Sequence, residues 1–326
     1  MLSKFLNTKT LIILLLVLGG IFLVTKLTEK EDRTFRSELV SIDTSKVTKM
    51  VIIPKAGAGP NISFTRSGFD WSLESEGKSY TPDESSINNI LVELTRMRTE
   101  RVAAIDESKW DEFEVTDSTA SRIQLYSGED VLADLYLGKF TYTQAPQTNP
   151  MQQRQQTRMF THVRPVDDQT VYVVEGFIKM NVQPNVNTYR AKILCAMEQE
   201  DITKISFNYP DNESFVLQNQ EGKWYLNGEE TDSSKTARYL MKFKRLTNNS
   251  FVDEPLTVSD SPSHTVILEG NNTLPVELRA YPTTDSTHQY LITSSLIPDA
   301  RYSGYKSRLF EKVFVPKDEF FATKEE

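Results

Sequence analysis

The sequence of 326 residues contains one cysteine, Cys195, and three histidines, His162, His264 and His288. A single cysteine cannot form an intramolecular disulfide, and its apolar surroundings in AKILCAM predict a buried, unreactive thiol. The histidines show neither H-x-H nor H-E-x-x-H spacing, so the usual zinc-binding patterns are absent. The scarcity of both residue types argues against a disulfide framework and a histidine-based metal site.

Sequence signatures of common catalytic sites are also missing. Gly77-Lys78-Ser79 resembles the end of a phosphate-binding loop, but Ser72 stands where that motif needs its first glycine. No G-x-S-x-G nucleophile elbow occurs. The acidic stretches 106–117 and 251–260 contain groups suited to Ca²⁺ binding or carboxylate catalysis, but a solvated loop explains them better. The sequence predicts a non-enzymatic protein without a cofactor.

Basic residues are fewer than acidic ones, with 37 Lys and Arg against 45 Asp and Glu. Residues 1–26 hold three of these basic residues and no acid, so the rest of the chain has 34 against 45, a net charge of −11. This balance argues against binding to nucleic acid and against adhesion to an anionic lipid surface.

The longest run without charge is TLIILLLVLGGIFLVT, residues 10–25, which follows Lys4 and Lys9 and ends at Lys26. As a helix it spans about 24 Å, and flanking lysines that extend outward complete a crossing of the ~30 Å hydrocarbon core. No A-x-A-like cleavage pattern follows, which favours an uncleaved signal anchor over residues 10–26 rather than a cleaved signal peptide. The lysines before the run predict a single-pass protein of the cytoplasmic membrane whose bulk is periplasmic.

The rest of the chain contains two similar copies, and the number of residues between matching positions decreases along the sequence. KVTKMVI (46–52) matches DITKISF (201–207), and VTDSTASRIQLY (115–126) matches VSDSPSHTVILE (258–269). YRAKIL (189–194) matches YKSRLF (305–310) near the end of each copy. Two helical faces also correspond: Ile90, Leu91, Leu94 and Met97 with Tyr239, Leu240, Phe243 and Leu246. The sequence therefore predicts an internal duplication.

Each copy combines several strand-like runs with one main helix, without βαβ alternation. This pattern predicts an α+β fold of two tandem homologous repeats, each a mostly antiparallel sheet with one helix, after the N-terminal transmembrane helix. In the first copy, Thr81, Pro82 and Glu84 predict the start of the helix, with Thr81 as its N-cap. The predicted core residues are Trp71, Leu91 and Leu94 in the first copy and Trp224, Leu240 and Phe243 in the second.

The predicted organisation divides the chain into a short cytoplasmic N terminus (1–9), the anchor (10–26), a linker (27–39), unit 1 (40–197) and unit 2 (198–326). The connecting stretch CAMEQED (195–201) has almost no slack, so we expect the units to pack against each other. Residues 141–157, rich in Gln and Pro, are predicted to form a mobile loop within unit 1. Four side chains in and beside it are candidates for partner binding: Met151, Arg154, Arg158 and Met159.

The anchor, the twin units of the form I-x-K-I-x-F … W-x-L … D … helix, and the two Y-[RK]-x-[KR]-[IL]-[LF] segments resemble the bacterial family called domain of unknown function 4340. The resemblance covers residues 40–326. It implies genes that neighbour those of a gliding-motility-type ABC transporter, and hence a membrane complex as partner. The family has no established catalytic residues to transfer.

These observations together predict a membrane-anchored extracytoplasmic accessory or scaffold subunit of an ABC-type transporter complex. Two other hypotheses remain. The chain is a cell-envelope module that binds glycan or another ligand through exposed Trp71 and Trp224, or it is a hydrolase whose acids converge only in the fold.

Overall fold

The computed structural model describes residues 38–144 and 157–322, together with Leu15, residues 17–19 and Arg36. The predicted anchor at 10–26 therefore lies almost wholly outside the described residues. Within the described part of the chain, no helix is both long enough and apolar enough to cross a membrane. The described residues form an α+β structure rich in strands, with mostly antiparallel sheets and few helices, as the sequence predicts.

The first sheet has the strand order β4-β3-β2-β1-β6-β7-β8-β9-β5, and every neighbouring pair is antiparallel. Alternating side chains face the core; in β3, Trp71, Leu73 and Ser75 are buried while Asp70 and Glu74 are exposed. The strands are β1 (Lys49–Ile53), β2 (Ile62–Ser67), β3 (Asp70–Ser75), β4 (Lys78–Tyr80), β5 (Thr99–Ala104), β6 (Ser121–Ser127), β7 (Asp130–Gln144), β8 (Thr157–Pro165) and β9 (Val171–Glu175).

The second sheet has the strand order β14-β13-β12-β11-β16-β17-β18-β19, and a separate pair joins β10 to β15. The strands are β10 (Ile193–Cys195), β11 (Ile202–Asn208), β12 (Phe215–Gln220), β13 (Lys223–Leu226), β14 (Glu229–Glu230), β15 (Leu246–Thr247), β16 (His264–Gly270), β17 (Val276–Pro282), β18 (Tyr290–Ser294) and β19 (Ile297–Ser303). The two sheets therefore have the same strand order from β4 to β9 and from β14 to β19.

Residues 38–144 and 157–322 also form four α-helices: α1 (Glu84–Arg96), α2 (Ile178–Asn181), α3 (Ser233–Leu240) and α4 (Leu309–Val313). Helix α1 follows β4, and α3 follows β14, so each unit has its main helix at the same point. The prediction of Thr81 as the N-cap of α1 is wrong. Asp83 caps the helix by accepting a hydrogen bond from the Ser85 backbone N–H at 3.1 Å, because Thr81 lies in extended chain that contacts unit 2.

In the sequence, residues 189–194 at the end of unit 1 match 305–310 in unit 2. The structure aligns the ends of the two units differently. The backbone N–H of Asp83 donates to the Tyr189 carbonyl at 2.6 Å, and that of Asp232, which caps α3, donates to the Phe320 carbonyl at 2.9 Å. Phe320 is thus the counterpart of Tyr189, and both are fully buried, whereas Tyr305 is 59% exposed. The sequence match at Tyr305 is wrong because six similar residues are too few to determine an alignment.

Each sheet buries one face under its helices. Trp71, Leu91 and Leu94 lie in the core of unit 1, which α1 covers. Leu240 and Phe243 are fully buried in the core of unit 2, and Trp224 packs against that core while partly exposed. Burial of these apolar surfaces supplies most of the driving force for folding each unit.

The two units contact each other directly. The Asp299 carboxylate of unit 2 accepts hydrogen bonds from the backbone N–H and the hydroxyl of Thr81 in unit 1, at 2.8 and 2.6 Å. The Ser294 hydroxyl donates to the Leu194 carbonyl at 2.6 Å, and β10, at the end of unit 1, pairs with β15 of unit 2. These contacts confirm the expectation that the units pack against each other.

Candidate partner-binding site

The candidate site is the far part of the β7–β8 hairpin. Beyond a bulge at 138–139, the two strands remain paired from Phe140 and Thr161 to Gln144 and Thr157. We call residues 140–144 and 157–160 the hairpin arm. The prediction of a mobile loop at 141–157 is wrong for residues 141–144 and 157, which are paired strand. Residues 145–156 lie outside the described residues.

Arg158 lies on the arm but is already engaged by carboxylates. Its Nε and Nη2 donate to Glu175 at 2.8 and 2.5 Å, and Nη2 also donates to Glu100 at 3.0 Å. The guanidinium stacks over the Phe160 ring, and its hydrogen bonds hold the pKa of Glu175 below the usual value. The predicted partner-binding residue Arg158 therefore links the arm to β9 and β5, and its side chain remains 45% exposed.

The apolar candidates are better placed. Met159 is directly opposite Tyr142 across the arm, and Tyr142 is 66% exposed. Tyr142 was missed in the sequence because the Gln-rich stretch that follows it obscured the end of β7. Met151 and Arg154 lie outside the described residues. Tyr142 and Met159 thus place an aromatic ring and a thioether opposite each other on the hairpin arm. Both side-chain types are common in protein interfaces.

The base of the arm is held by a backbone and side-chain network. The Lys139 backbone N–H donates to the Phe113 carbonyl at 2.8 Å, and the His162 Nδ1 lies 2.9 Å from the Lys139 carbonyl. The His162 ring stacks on Phe113 with centroids 4.6 Å apart, and burial lowers the pKa of its imidazole. His162 therefore has a structural role at the base of the arm.

The partly buried ammonium group of Lys179, on α2, supports the same region. The Lys179 amine donates to the Leu137 carbonyl at 2.8 Å and to the Ser121 hydroxyl at 3.3 Å. Burial lowers the pKa of Lys179, and attraction to the Glu114 carboxylate only partly offsets that effect. The strands at the base of the arm are thus hydrogen-bonded to α2.

Other chemical sites are not evident in the described residues. No group of three or more His, Cys, Asp or Glu side chains there is arranged to hold a metal ion. Trp71 is 8% exposed and packs in the core, which leaves little surface for stacking on a sugar ring. A groove of about 990 Å³ lies at the end of unit 2.

Cys195 provides a simple test of this packing. The side chain is fully buried and burial raises the pKa of its thiol to about 12, so the reactive thiolate is scarce. We expect the thiol reagent dithiobis(nitrobenzoate) to label the folded protein no faster than the protein unfolds. The urea-unfolded chain should be labelled at once. The measurement is the absorbance of the thiol that the reagent releases. Prompt labelling of the folded protein would contradict the placement of Cys195.

Comparison with known proteins gives one family. No curated protein and no solved structure matches the chain. The matched region comprises β8, β9, the connecting stretch and unit 2 as far as β16, and thus crosses the contact between the units. Residues 151–266 match the family described as Domain of unknown function (DUF4340), which confirms the resemblance that the sequence predicts.

Proposed function

We propose that the protein is a non-enzymatic scaffold subunit, anchored in the cytoplasmic membrane by residues 10–26, that works with an ABC-type permease and its extracytoplasmic companion. Residues beyond the linker stand outside the cytoplasm. The family resemblance supports this assignment, because it implies a gliding-motility-type transporter complex as partner.

The observation that carries the proposal is the hairpin arm, which belongs to a unit in direct contact with unit 2. Unit 1 extends β7 and β8 into the arm, whereas the matching strands of unit 2, β17 and β18, are joined by residues 283–289 without such an extension. An element present in one unit only is unnecessary for folding the shared architecture. The exposed Tyr142 at its far part suits contact with another protein.

Shortening the hairpin tests the arm. Gln144 pairs with Thr157, so an Asn-Gly turn in place of residues 145–156 closes the hairpin with a favourable two-residue loop. We expect the melting temperature to change by only a few degrees, since the core is untouched. Recovery of the permease and companion in a pull-down from mild detergent should fall severalfold.

A point variant and a matched control refine the test. Tyr142→Ser combined with Met159→Ser should reduce recovery as the shortened hairpin does. Leu274→Ser, which changes an apolar side chain that is 85% exposed in unit 2, should leave recovery unchanged. Undiminished recovery with both the shortened hairpin and the Tyr142→Ser, Met159→Ser variant would remove the arm from the site. Failure of the unaltered chain to bring down any membrane component would end the scaffold proposal.

A further inference from the structure

The charges of unit 2 are unevenly distributed along its sequence. Residues 198–326 contain 21 acidic and 14 basic residues, but residues 238–245 hold four basic residues and no acid, and residues 305–312 hold three basic residues and one acid. The remainder of unit 2 therefore has seven basic and twenty acidic residues. Two short segments thus carry a net charge of +6 in a unit whose other residues carry −13.

The two segments lie side by side in the fold. The Tyr239 hydroxyl, on α3, donates to the Val313 carbonyl at the end of α4, at 2.7 Å, and the Lys242 amine donates to the Lys312 carbonyl at 3.3 Å. Buried apolar side chains hold both segments on the core of unit 2, so their charged side chains lie at the surface. We call residues 238–245 and 305–312 the basic patch.

A groove of about 240 Å³ lies between the segments and is lined by Lys242, Arg308, Glu311 and Lys312. Arg308 and Glu311 form an ion pair at 2.5 Å, whereas Lys242 and Lys312 form no ion pair with any residue that the structure describes. Burial lowers the pKa of Lys242; attraction to Glu319 opposes this shift and repulsion from Lys312 adds to it. A carboxylate entering the groove would neutralise both ammonium groups and relieve their repulsion.

The patch suits a short acidic segment of a protein better than an anionic membrane. Met241 and Tyr305 lie within it and are 66% and 59% exposed, and methionine, tyrosine and arginine are enriched where proteins bind each other. A flat anionic bilayer would also approach the acidic remainder of unit 2 and be repelled by it. A short peptide segment contacts the patch alone, because exposed charges farther away than about 8 Å are largely screened at physiological salt.

We propose that the basic patch binds an acidic segment of a partner protein, with one carboxylate of that segment in the groove between Lys242 and Lys312. The positive potential of the patch attracts and orients such a segment, while Met241 and Tyr305 contact its apolar atoms. The proposal states the chemistry of the partner and does not rest on the transporter assignment, since any protein with an exposed acidic segment satisfies it.

A labelled acidic peptide tests the patch. The full-length protein in mild detergent is titrated against a fluorescein-labelled octaglutamate peptide at low ionic strength, and binding is followed by fluorescence anisotropy. We expect saturable binding that weakens as salt is added, because salt screens exposed charges, and no binding of an octaserine peptide. Carbodiimide, which joins carboxylates to amines in contact, should attach the acidic peptide to Lys242, Lys306 or Lys312, as identified by mass spectrometry.

Two charge-reversal variants decide whether the patch is the site. Lys306→Glu combined with Lys312→Glu should weaken peptide binding about tenfold, since each substitution replaces an attraction with a repulsion. Lys55→Glu combined with Lys78→Glu makes the same change of net charge in unit 1 and should leave binding nearly unchanged. All four lysines are exposed, so neither variant disturbs a core.

Equal weakening by both variants, absence of saturable binding, or attachment of the peptide to lysines outside the patch overturns the proposal. Displacement of the peptide by micelles that contain phosphatidylglycerol, but not by micelles that contain phosphatidylcholine, assigns the patch to anionic lipid and overturns the proposal as well. None of these outcomes bears on the transporter complex, which the pull-down tests separately.

Discussion

The Gly138→Ala variant is expected to lose about 3 kcal/mol of unfolding free energy, which corresponds to a fall of roughly 10 °C in melting temperature. An added Cβ at this position would lie 2.6 Å from Val115 Cγ1 and 2.8 Å from the Glu114 carbonyl oxygen, and nearer still to the Phe113 carbonyl. Two of these neighbours are backbone atoms and cannot rotate away. The measurement is thermal unfolding followed by circular dichroism.

The reason for the large effect is the position of Gly138 in the bulge of β7. The segment 113–115 crosses the strand there and closes over it through the hydrogen bond from Lys139 to Phe113. Moving that segment away would also disturb the stacked rings of Phe113 and His162, which support the base of the hairpin arm. A methyl group at Gly138 should therefore reduce partner recovery as well as stability.

Gly128→Ala is the matched control. Gly128 has a φ of +61°, and an added Cβ there meets no atom within 4 Å. The cost is then only the left-handed backbone strain of about 1 kcal/mol. If Gly138→Ala is no more harmful than Gly128→Ala, the close packing of 113–115 against β7 is wrong.

The sequence was informative where structure is determined by local patterns. Strand-like runs without βαβ alternation predicted mostly antiparallel sheets, and the helical period of Leu91 and Leu94 predicted α1. The repeated order of these patterns predicted two units with similar organisation, and the two sheets have the same strand order. Patterns of this kind depend on which face of a single element meets the core, so they can be read from neighbouring residues.

The sequence was uninformative where a residue's role depends on distant chain. Thr81 has the side chain of a good N-cap, but Asp299 of unit 2 takes its hydroxyl and Asp83 caps the helix instead. Arg158, predicted to bind a partner, also forms ion pairs with Glu175 and Glu100. The carboxylates that bind Thr81 and Arg158 are 17 or more residues away along the chain, so neighbouring residues do not reveal them.

Arg190→Ala is expected to cost about 3 kcal/mol of unfolding free energy, because the arginine is the largest buried side chain at the contact between the units. Its guanidinium lies between the Tyr80 ring of unit 1 and the Phe251 ring of unit 2, at 4.3 and 3.8 Å from their centroids. The alanine variant would lose both stacking contacts and leave a void between the units. Urea unfolding followed by tryptophan fluorescence measures the change.

Arg190→Met should retain most of that stability, with a loss of about 1 kcal/mol or less. Asp253 is more than a third exposed, so water can solvate its carboxylate once the guanidinium is gone, and Nη2 of Arg190 has no hydrogen-bond partner to lose. The methionine side chain fills a similar space between the two rings. A methionine variant as unstable as the alanine variant would mean that the ion pair with Asp253, rather than packing between Tyr80 and Phe251, holds the units together.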